Sequence, residues 1–201
     1  MTTKYSNKDH YLDPDTGVLR NNLGIHDAAI LEQHEADYAA ARSYELAQRP
    51  IEGNFDLAHL RAIHRHLFGD VYDWAGELRD VDVTKGDSFF AHHTHIESAA
   101  KAIFEQLAQE NHLAGLEAAA FSERAAHYLG EINALHPFRE GNGRAQREFI
   151  NHLAYKNGYF IAWSAISAPD MLRASIESFH TGNTAKFAEL IRTHLRKRLK
   201  I

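Results

Sequence analysis

Apolar residues recur at intervals of three and four along most of this chain, and one short stretch breaks that rhythm with strict alternation. From about His26 to Gln48, an Ala- and Glu-rich run spaces Ile30, Leu31, Tyr38, Ala41 and Leu46 helically, and Arg49-Pro50 with Gly53 ends it. Asp56 can cap a second helix carrying Leu57, Leu60, Ile63 and Leu67, which stops at Gly69. The same period predicts helices over about 95–111, 121–134, 144–157 and 168–179. A last one is expected over 184–199, with Phe187, Leu190, Ile191 and Leu195 on one face. Its Arg192, Arg196, Lys197, Arg198 and Lys200 read as cations favoured at a helix C-terminus.

The alternating stretch runs from Asp80 to Ala91. Val81 and Val83 interleave with Asp80 and Asp82, and Thr84-Lys85-Gly86-Asp87-Ser88 supplies a turn before Phe89-Phe90. This predicts a short β-hairpin, which is marginal alone and must lie on the helices or await a partner strand. Residues 1–25 carry turn formers, Asp13-Pro14-Asp15-Thr16-Gly17 and Asn21-Asn22, and read as an irregular arm ahead of one globular domain over 26–201. The expected fold is therefore mainly α, a bundle of about seven to eight helices with one hairpin.

Composition narrows the function classes. A net charge of −5 on 201 residues gives no basic field for nucleic acid or a membrane surface. Cysteine is absent, which excludes thiol catalysis, disulfides and thiolate metal sites. No apolar run approaches the roughly 20 residues that span a bilayer, and the start has no signal-peptide core. The expectation is a protein that is cytosolic where it is made. Fifteen histidines invite a metal hypothesis, but the spacings do not support one. His64 and His66 face different directions on a helix. His92, His93 and His95 have no carboxylate following at ligand spacing, and no His-Glu-x-x-His occurs. Scattered surface and half-buried histidines are the reading for all but one.

That one is His136, which opens His136-Pro137-Phe138-Arg139-Glu140-Gly141-Asn142-Gly143-Arg144-Ala145-Gln146-Arg147 between two predicted helices. Gly141 and Gly143 permit left-handed backbone angles and close approach of a ligand, so Gly-Asn-Gly can form an anion-binding nest. The loop opens into a helix whose N-terminus adds free N–H groups and positive dipole. Arg144 and Arg147, three apart, share a face and can each fork phosphate oxygens. Glu140 offers a hard oxygen ligand suited to magnesium, and His136 can take a proton from an attacking hydroxyl. Pro137 and Phe138 look structural, the ring being an apolar anchor beneath the loop.

This stretch resembles, position for position, the active-site motif of Fic-domain proteins, His-x-Phe-x-(Asp/Glu)-Gly-Asn-Gly-Arg-x-x-Arg. The run Asp73-Trp74-Ala75-Gly76-Glu77-Leu78-Arg79 and the hairpin after it are similar to the family's segment leading into its flap. The likeness covers most of residues 10–195 and is strongest to bacterial Fic toxins and to Fic domains of type IV secretion effectors of the Bartonella kind. It implies a Fic fold and transfer of AMP from ATP to a Tyr, Ser or Thr hydroxyl of a target protein. His136 would be the base, and Glu140 would hold Mg2+. The Gly141 and Gly143 amides and Asn142 would cradle the α- and β-phosphates. Arg144 would grip the β/γ end, and Arg147 the γ-phosphate. The flap, Thr84, Lys85, Gly86, Asp87, Ser88 and Phe89, would pair with an extended stretch of target.

The resemblance also implies regulation. Family members are held off by a helix carrying (Ser/Thr)-x-x-x-Glu-(Gly/Asn), whose glutamate pairs with the motif's second arginine. Glu52-Gly53, Glu110-Asn111 and Glu140-Gly141 have Gln48, Gln106 and His136 four residues earlier, so none completes that pattern. This implies either an unrestrained enzyme or, as the favoured expectation, a separate small antitoxin whose glutamate meets Arg147, in a bacterial cytoplasm, or translocation into a host cell for an effector. Similar toxins modify type II DNA topoisomerases and similar effectors modify host GTPases. Three alternatives stay open: a Fic scaffold using another nucleotide, a kinase of the Doc kind, and a catalytically silent nucleotide- or protein-binding module. Family kinases lack the second glycine and the arginines in this form.

Overall fold

The computed structural model describes residues 9–198, so Lys200 and the first eight residues of the arm lie outside the described residues. Seven α-helices form among them, and an N-cap side chain fixes the start of three. Asp27 accepts from the Ala29 and Ile30 amides to begin α1 (Ala28–Gln48), and Asp56 accepts from His59 N–H to begin α2 (Leu57–Phe68). Then come α3 (Ile96–Gln109), α4 (Ala118–Leu135), α5 (Asn142–Lys156), α6 (Ala168–Thr181) capped by Ser167, and α7 (Ala185–His194). The flap is β1 (Thr84–Lys85) paired antiparallel with β2 (Ser88–Phe89), and Gly86 (φ 58°) makes the turn.

Helix α4 lies at the centre, with Phe121, Tyr128, Leu129 and Ile132 all at or below 1% exposure, facing α3, α5, α6 and α7. A methyl at Gly130 would lie 2.7 Å from Ser178 Oγ and 2.8 Å from Thr184 Cγ2, so this glycine lets α4 approach α6 and α7. Burying each Phe, Leu or Ile of this core contributes about 1.5–3 kcal/mol. Residues 9–25 also lie on the core: Tyr11 and Val18 are buried, Asn22 N–H donates to Val71 O, and Asp9 pairs with Arg139.

Two expectations are corrected. The predicted helix over 184–199 ends at His194. Residues Leu195–Lys197 form a strand, β4, antiparallel to β3 (Tyr159–Ile161), with Tyr159 opposite Lys197 and Ile161 opposite Leu195. Leu195 suits both periods, four residues after Ile191 and inward-facing in a strand. Tyr159 and Ile161 pointing inward decide for the strand. Arg196, Lys197 and Arg198 therefore follow a strand edge, with the Arg198 guanidinium 3.4 Å from the Tyr155 ring. The buried face of α1 also differs. Leu31, Glu35, Ala39 and Leu46 point inward, while Ile30 and Tyr38 are 52% and 40% exposed. A carboxylate on the buried stripe disguised which face was apolar.

Candidate active site

His136 ends α4 in a left-handed conformation (φ 46°, ψ 60°), rare for a side chain of its size. Its N–H still donates to Ile132 O at 3.0 Å, so the turn closes the helix and swings the next residues back. The ring stacks on Phe90 at 3.7 Å between centroids, 12° from parallel, and Nδ1 lies 3.3 Å from Asn133 O. A proton on Nδ1 satisfies that carbonyl and leaves Nε2 as the acceptor. Burial pushes the pKa down to about 4, outweighing the Asn133 hydrogen bond, and positive Arg79 and Lys85 push the same way. The ring is thus a neutral base at physiological pH.

Arg79 holds this base from behind. Although 2% exposed, it has no carboxylate within 3.5 Å; its nearest is Asp82 at 3.9 Å. Nε donates to His136 O at 2.8 Å, one terminal nitrogen to Val81 O at 2.8 Å, and the other to Ala91 O. Its own N–H donates to Pro137 O at 2.9 Å. One guanidinium therefore joins both stems of the flap to the backbone of the base. The sequence offered only a run leading into the hairpin, without this role.

The loop after His136 is tied from below. Phe138 is fully buried as the expected anchor, stacked on His64 at 3.8 Å. Gly76 N–H donates to His64 Nδ1 at 2.9 Å, so the ring proton sits on Nε2, which donates to Glu140 O at 2.9 Å. His64, His59 and His152 are all buried, correcting the reading of scattered surface and half-buried histidines. Asn142 also turns inward: Oδ1 accepts from Phe138 N–H at 2.9 Å and Nδ2 donates to Phe138 O at 2.7 Å. Its side chain holds the loop closed and is spent, so only its backbone N–H remains for a phosphate. Gly141 (φ 78°) is the helix cap, and a methyl there would meet Phe68 Cε2 at 2.5 Å. Gly143 already lies in the helix without a positive φ. The free amides are therefore those of the open N-terminus of α5, with no acceptor for the Asn142 and Gly143 N–H groups among the described residues, rather than a nest alternating across both glycines.

The two arginines differ. Arg144 reaches across to Glu35 of α1, a carboxylate 5% exposed that also accepts from the Tyr72 hydroxyl, and lies 4.7 Å over the Phe68 ring. Arg147 has no carboxylate partner among the described residues, and burial followed by the like charge of Arg144 disfavours its ionised form. An anion is what it lacks. Glu140 is half-exposed, takes Gly141 N–H at 2.9 Å on Oε1, and stands 4.0 Å from Arg144. One carboxylate lining the cavity beside the open N-terminus of α5 fits magnesium, which takes its remaining ligands from phosphate oxygens and water.

Two cavities meet at Lys85, Arg139, Glu140, Gly143 and Arg147. The first, about 610 Å³, runs beneath the arm and α1 past Glu35 and Tyr72. The second, about 540 Å³, holds His136 and ends on a shelf of Leu172, Ser175, Ile176 and Phe179 from α6. Gln146, 3% exposed, lines it with Oε1 unpartnered. Leu172 and Ile176 are 54% and 48% exposed one turn apart, and sequence reasoning did not place them at the site. Of the flap, Thr84, Lys85, Gly86 and Ser88 line this cavity. Asp87 and Phe89 do not, and Phe89 is 67% exposed. Phe90, just beyond the predicted flap set, stacks on His136.

The Fic/DOC family model matches residues 54–154, which holds α2, the flap, α4, the loop and most of α5. The chain belongs to the Fic/DOC family. It is 55% identical over 187 residues to protein adenylyltransferase VbhT of Bartonella schoenbuchensis, covering 93% of this chain and 39% of that protein's length. It is 44% identical to the "Probable protein adenylyltransferase Fic" of Escherichia coli, covering 83% of this chain and 82% of that one. Among solved structures it superposes on the BepC protein of Bartonella tribocorum with bound AMPPNP at a TM-score of 0.89 and 30% identity, covering 97% of this chain and all of that one. The seven helices and the two-stranded flap of this Fic chain are thus those of the family. No described helix is long and apolar enough to cross a membrane.

Proposed function

We propose that this chain transfers AMP from ATP to a hydroxyl of a target protein. The observation that carries the reading is a neutral, half-buried His136 in the same cavity as an Arg147 with no carboxylate partner among the described residues, an open helix N-terminus and an apolar shelf on α6. The shelf receives the base, with Gln146 Oε1 the acceptor left for an exocyclic amine. The α5 amides and Arg147 bind the polyphosphate, consistent with the nucleotide-bound relative. The target hydroxyl gives its proton to His136 Nε2 as its oxygen bonds the α-phosphorus. The bond to the bridging oxygen breaks and pyrophosphate leaves. Glu140 would hold Mg2+, which neutralises phosphate charge. The flap pairs with the target main chain and sets which hydroxyl reaches the base.

The partner reading rests on Arg147. Its guanidinium is also reached from a cleft of about 530 Å³ between Ser43 of α1, Trp163 and Met171. A helix of a small antitoxin lying there can place a glutamate on Arg147 and exclude the γ-phosphate. An antitoxin Glu→Gly variant that still inhibits fully would count against this contact.

For the transfer itself, the chain and its His136→Ala variant are incubated with magnesium, lysate and ATP labelled at either the α or γ position. Label on protein from the α position alone, lost in the variant, is expected. Label from the γ position alone makes the enzyme a kinase, and label from neither leaves a nucleotide-binding module.

A further inference from the structure

The histidines at the foot of the flap lack a carboxylate in local sequence, but the fold brings one from the other stem. Asp82 precedes β1, and His92 and His93 follow β2. Asp82 Oδ2 lies 3.2 Å from His92 Nε2, and Oδ1 lies 3.0 Å from His93 Nδ1 while also accepting His93 N–H at 2.9 Å. One ligand atom from each residue falls within 4.8 Å of the others. A tetrahedral zinc ion with bonds of about 2.0–2.2 Å sets its ligand atoms roughly 3.3–3.6 Å apart; the two imidazoles contact different oxygens of Asp82 here, and with one atom per residue already within 4.8 Å of the others they reach that spacing by a shift of about an ångström.

We propose that Asp82, His92 and His93 form a three-ligand site for a zinc-like divalent transition-metal ion that clips the two stems of the flap together. Two imidazoles and a carboxylate favour such an ion over magnesium, which prefers oxygen alone. His92 Nδ1 lies 2.8 Å from Thr94 Oγ1 and 3.4 Å from the Thr94 amide nitrogen, so metal binding through Nε2 takes the tautomer in which Nδ1–H donates to Thr94 Oγ1. Asp82, His92 and His93 are 31%, 50% and 26% exposed in their side chains, leaving a coordination position for water. Arg79, 3.9 Å from Asp82, repels a dication and weakens the site. None of the three ligands lines the His136 cavity, so the ion takes no part in the transfer. Its effect is on the flap: it closes the loop of backbone between residues 82 and 92, and so holds β1 and β2 in register.

Zinc chloride titrated calorimetrically into the full chain, with millimolar magnesium present, tests the site independently of any activity. One equivalent is expected to bind. His92→Ala and His93→Ala should each weaken binding about tenfold or more, and His136→Ala should leave it unchanged. The two imidazoles are partly exposed, so circular dichroism of both variants should match that of the parent chain. Zinc should also slow tryptic cleavage after Lys85 in the parent but not in the double variant. Absence of binding at about 100 µM zinc, or binding that survives the double substitution, overturns the proposal, as does cleavage that zinc does not alter.

Discussion

Replacing Arg79 with Met keeps most of the side chain's length and removes every donor. Three acceptors, the carbonyls of His136, Val81 and Ala91, then lose a shared partner in a place water barely reaches. At about 1–2 kcal/mol for each buried acceptor left unpaired, the gross loss is about 3–6 kcal/mol. Removing a desolvated charge returns about 1–2 kcal/mol of this, so the net cost is about 2–4 kcal/mol. That lies below the 5–15 kcal/mol typical of a domain, roughly, so the variant should remain folded. Urea unfolding measures the loss as a lower midpoint with unchanged slope. The same substitution should reduce kcat at least about tenfold with little change in KM for ATP, because none of the three carbonyls faces the phosphate site. Hydrogen exchange across residues 83–91 should accelerate. Arg79→Lys, which keeps the charge but cannot reach three carbonyls at once, should recover part of the stability and less of the rate. A stability loss under about 1 kcal/mol with kcat unchanged would refute the brace.

Burial holds His136, His59 and His64 neutral, with pKa values of about 4, 4 and 3 against an ordinary 6.5. The unfolded chain takes up these protons first, so their contribution is complete above pH ~6.5. It is lost as pH falls toward the folded values, at about 1.4 kcal/mol per pH unit for each group. Urea midpoints from pH 7 to 4 check this, and the acid limb of kcat/KM should lie nearer pH 4 than 6.5; a limb at 6.5 shows that the His136 ring is solvated. Gly141→Ala should lower the melting temperature, since its methyl would meet Phe68 at 2.5 Å under a φ of 78°. Gly143→Ala, helical and 3.4 Å from Arg147 at nearest, should leave it unchanged or raise it while abolishing nucleotide binding. Equal melting losses in both would show that Gly143 also carries backbone strain. Glu35→Gln should cost about 1–2 kcal/mol and tighten AMP binding more than ATP binding, as measured by calorimetry; an unchanged ratio of the two affinities would disprove competition at Arg144.

The helix starts at Asp56 and Ser167 were legible because a cap is a local device: one side chain, three residues from the amide it accepts. The motif was legible for a similar reason, its base, glycines and arginines being contiguous. What could not be read was distance in sequence. Glu35 meets Arg144 from 109 residues away, Asp82 meets His92 across a hairpin, and Arg79 meets His136 across 57. Residue types at these positions, a carboxylate on a helical stripe or an arginine after a turn, are ordinary surface choices until packing removes their water. Asn142 misled in the opposite direction: an amide between glycines suits a ligand, but it also reaches its own backbone four residues back, and the nearer partner won. The strand at 195–197 escaped because three residues are too few to separate a period of two from one of 3.6.

The Glu35–Arg144 pair gives the resting phosphate site an internal counter-ion. Arg144 is already masked by a carboxylate from α1, while Arg147 has no carboxylate partner among the described residues. A ligand must therefore outbid a buried glutamate for the first arginine. An anion entering there competes with Glu35 for Arg144 but meets no rival carboxylate among the described residues at Arg147, so the two arginines of one helix turn present unequal demands to whatever binds.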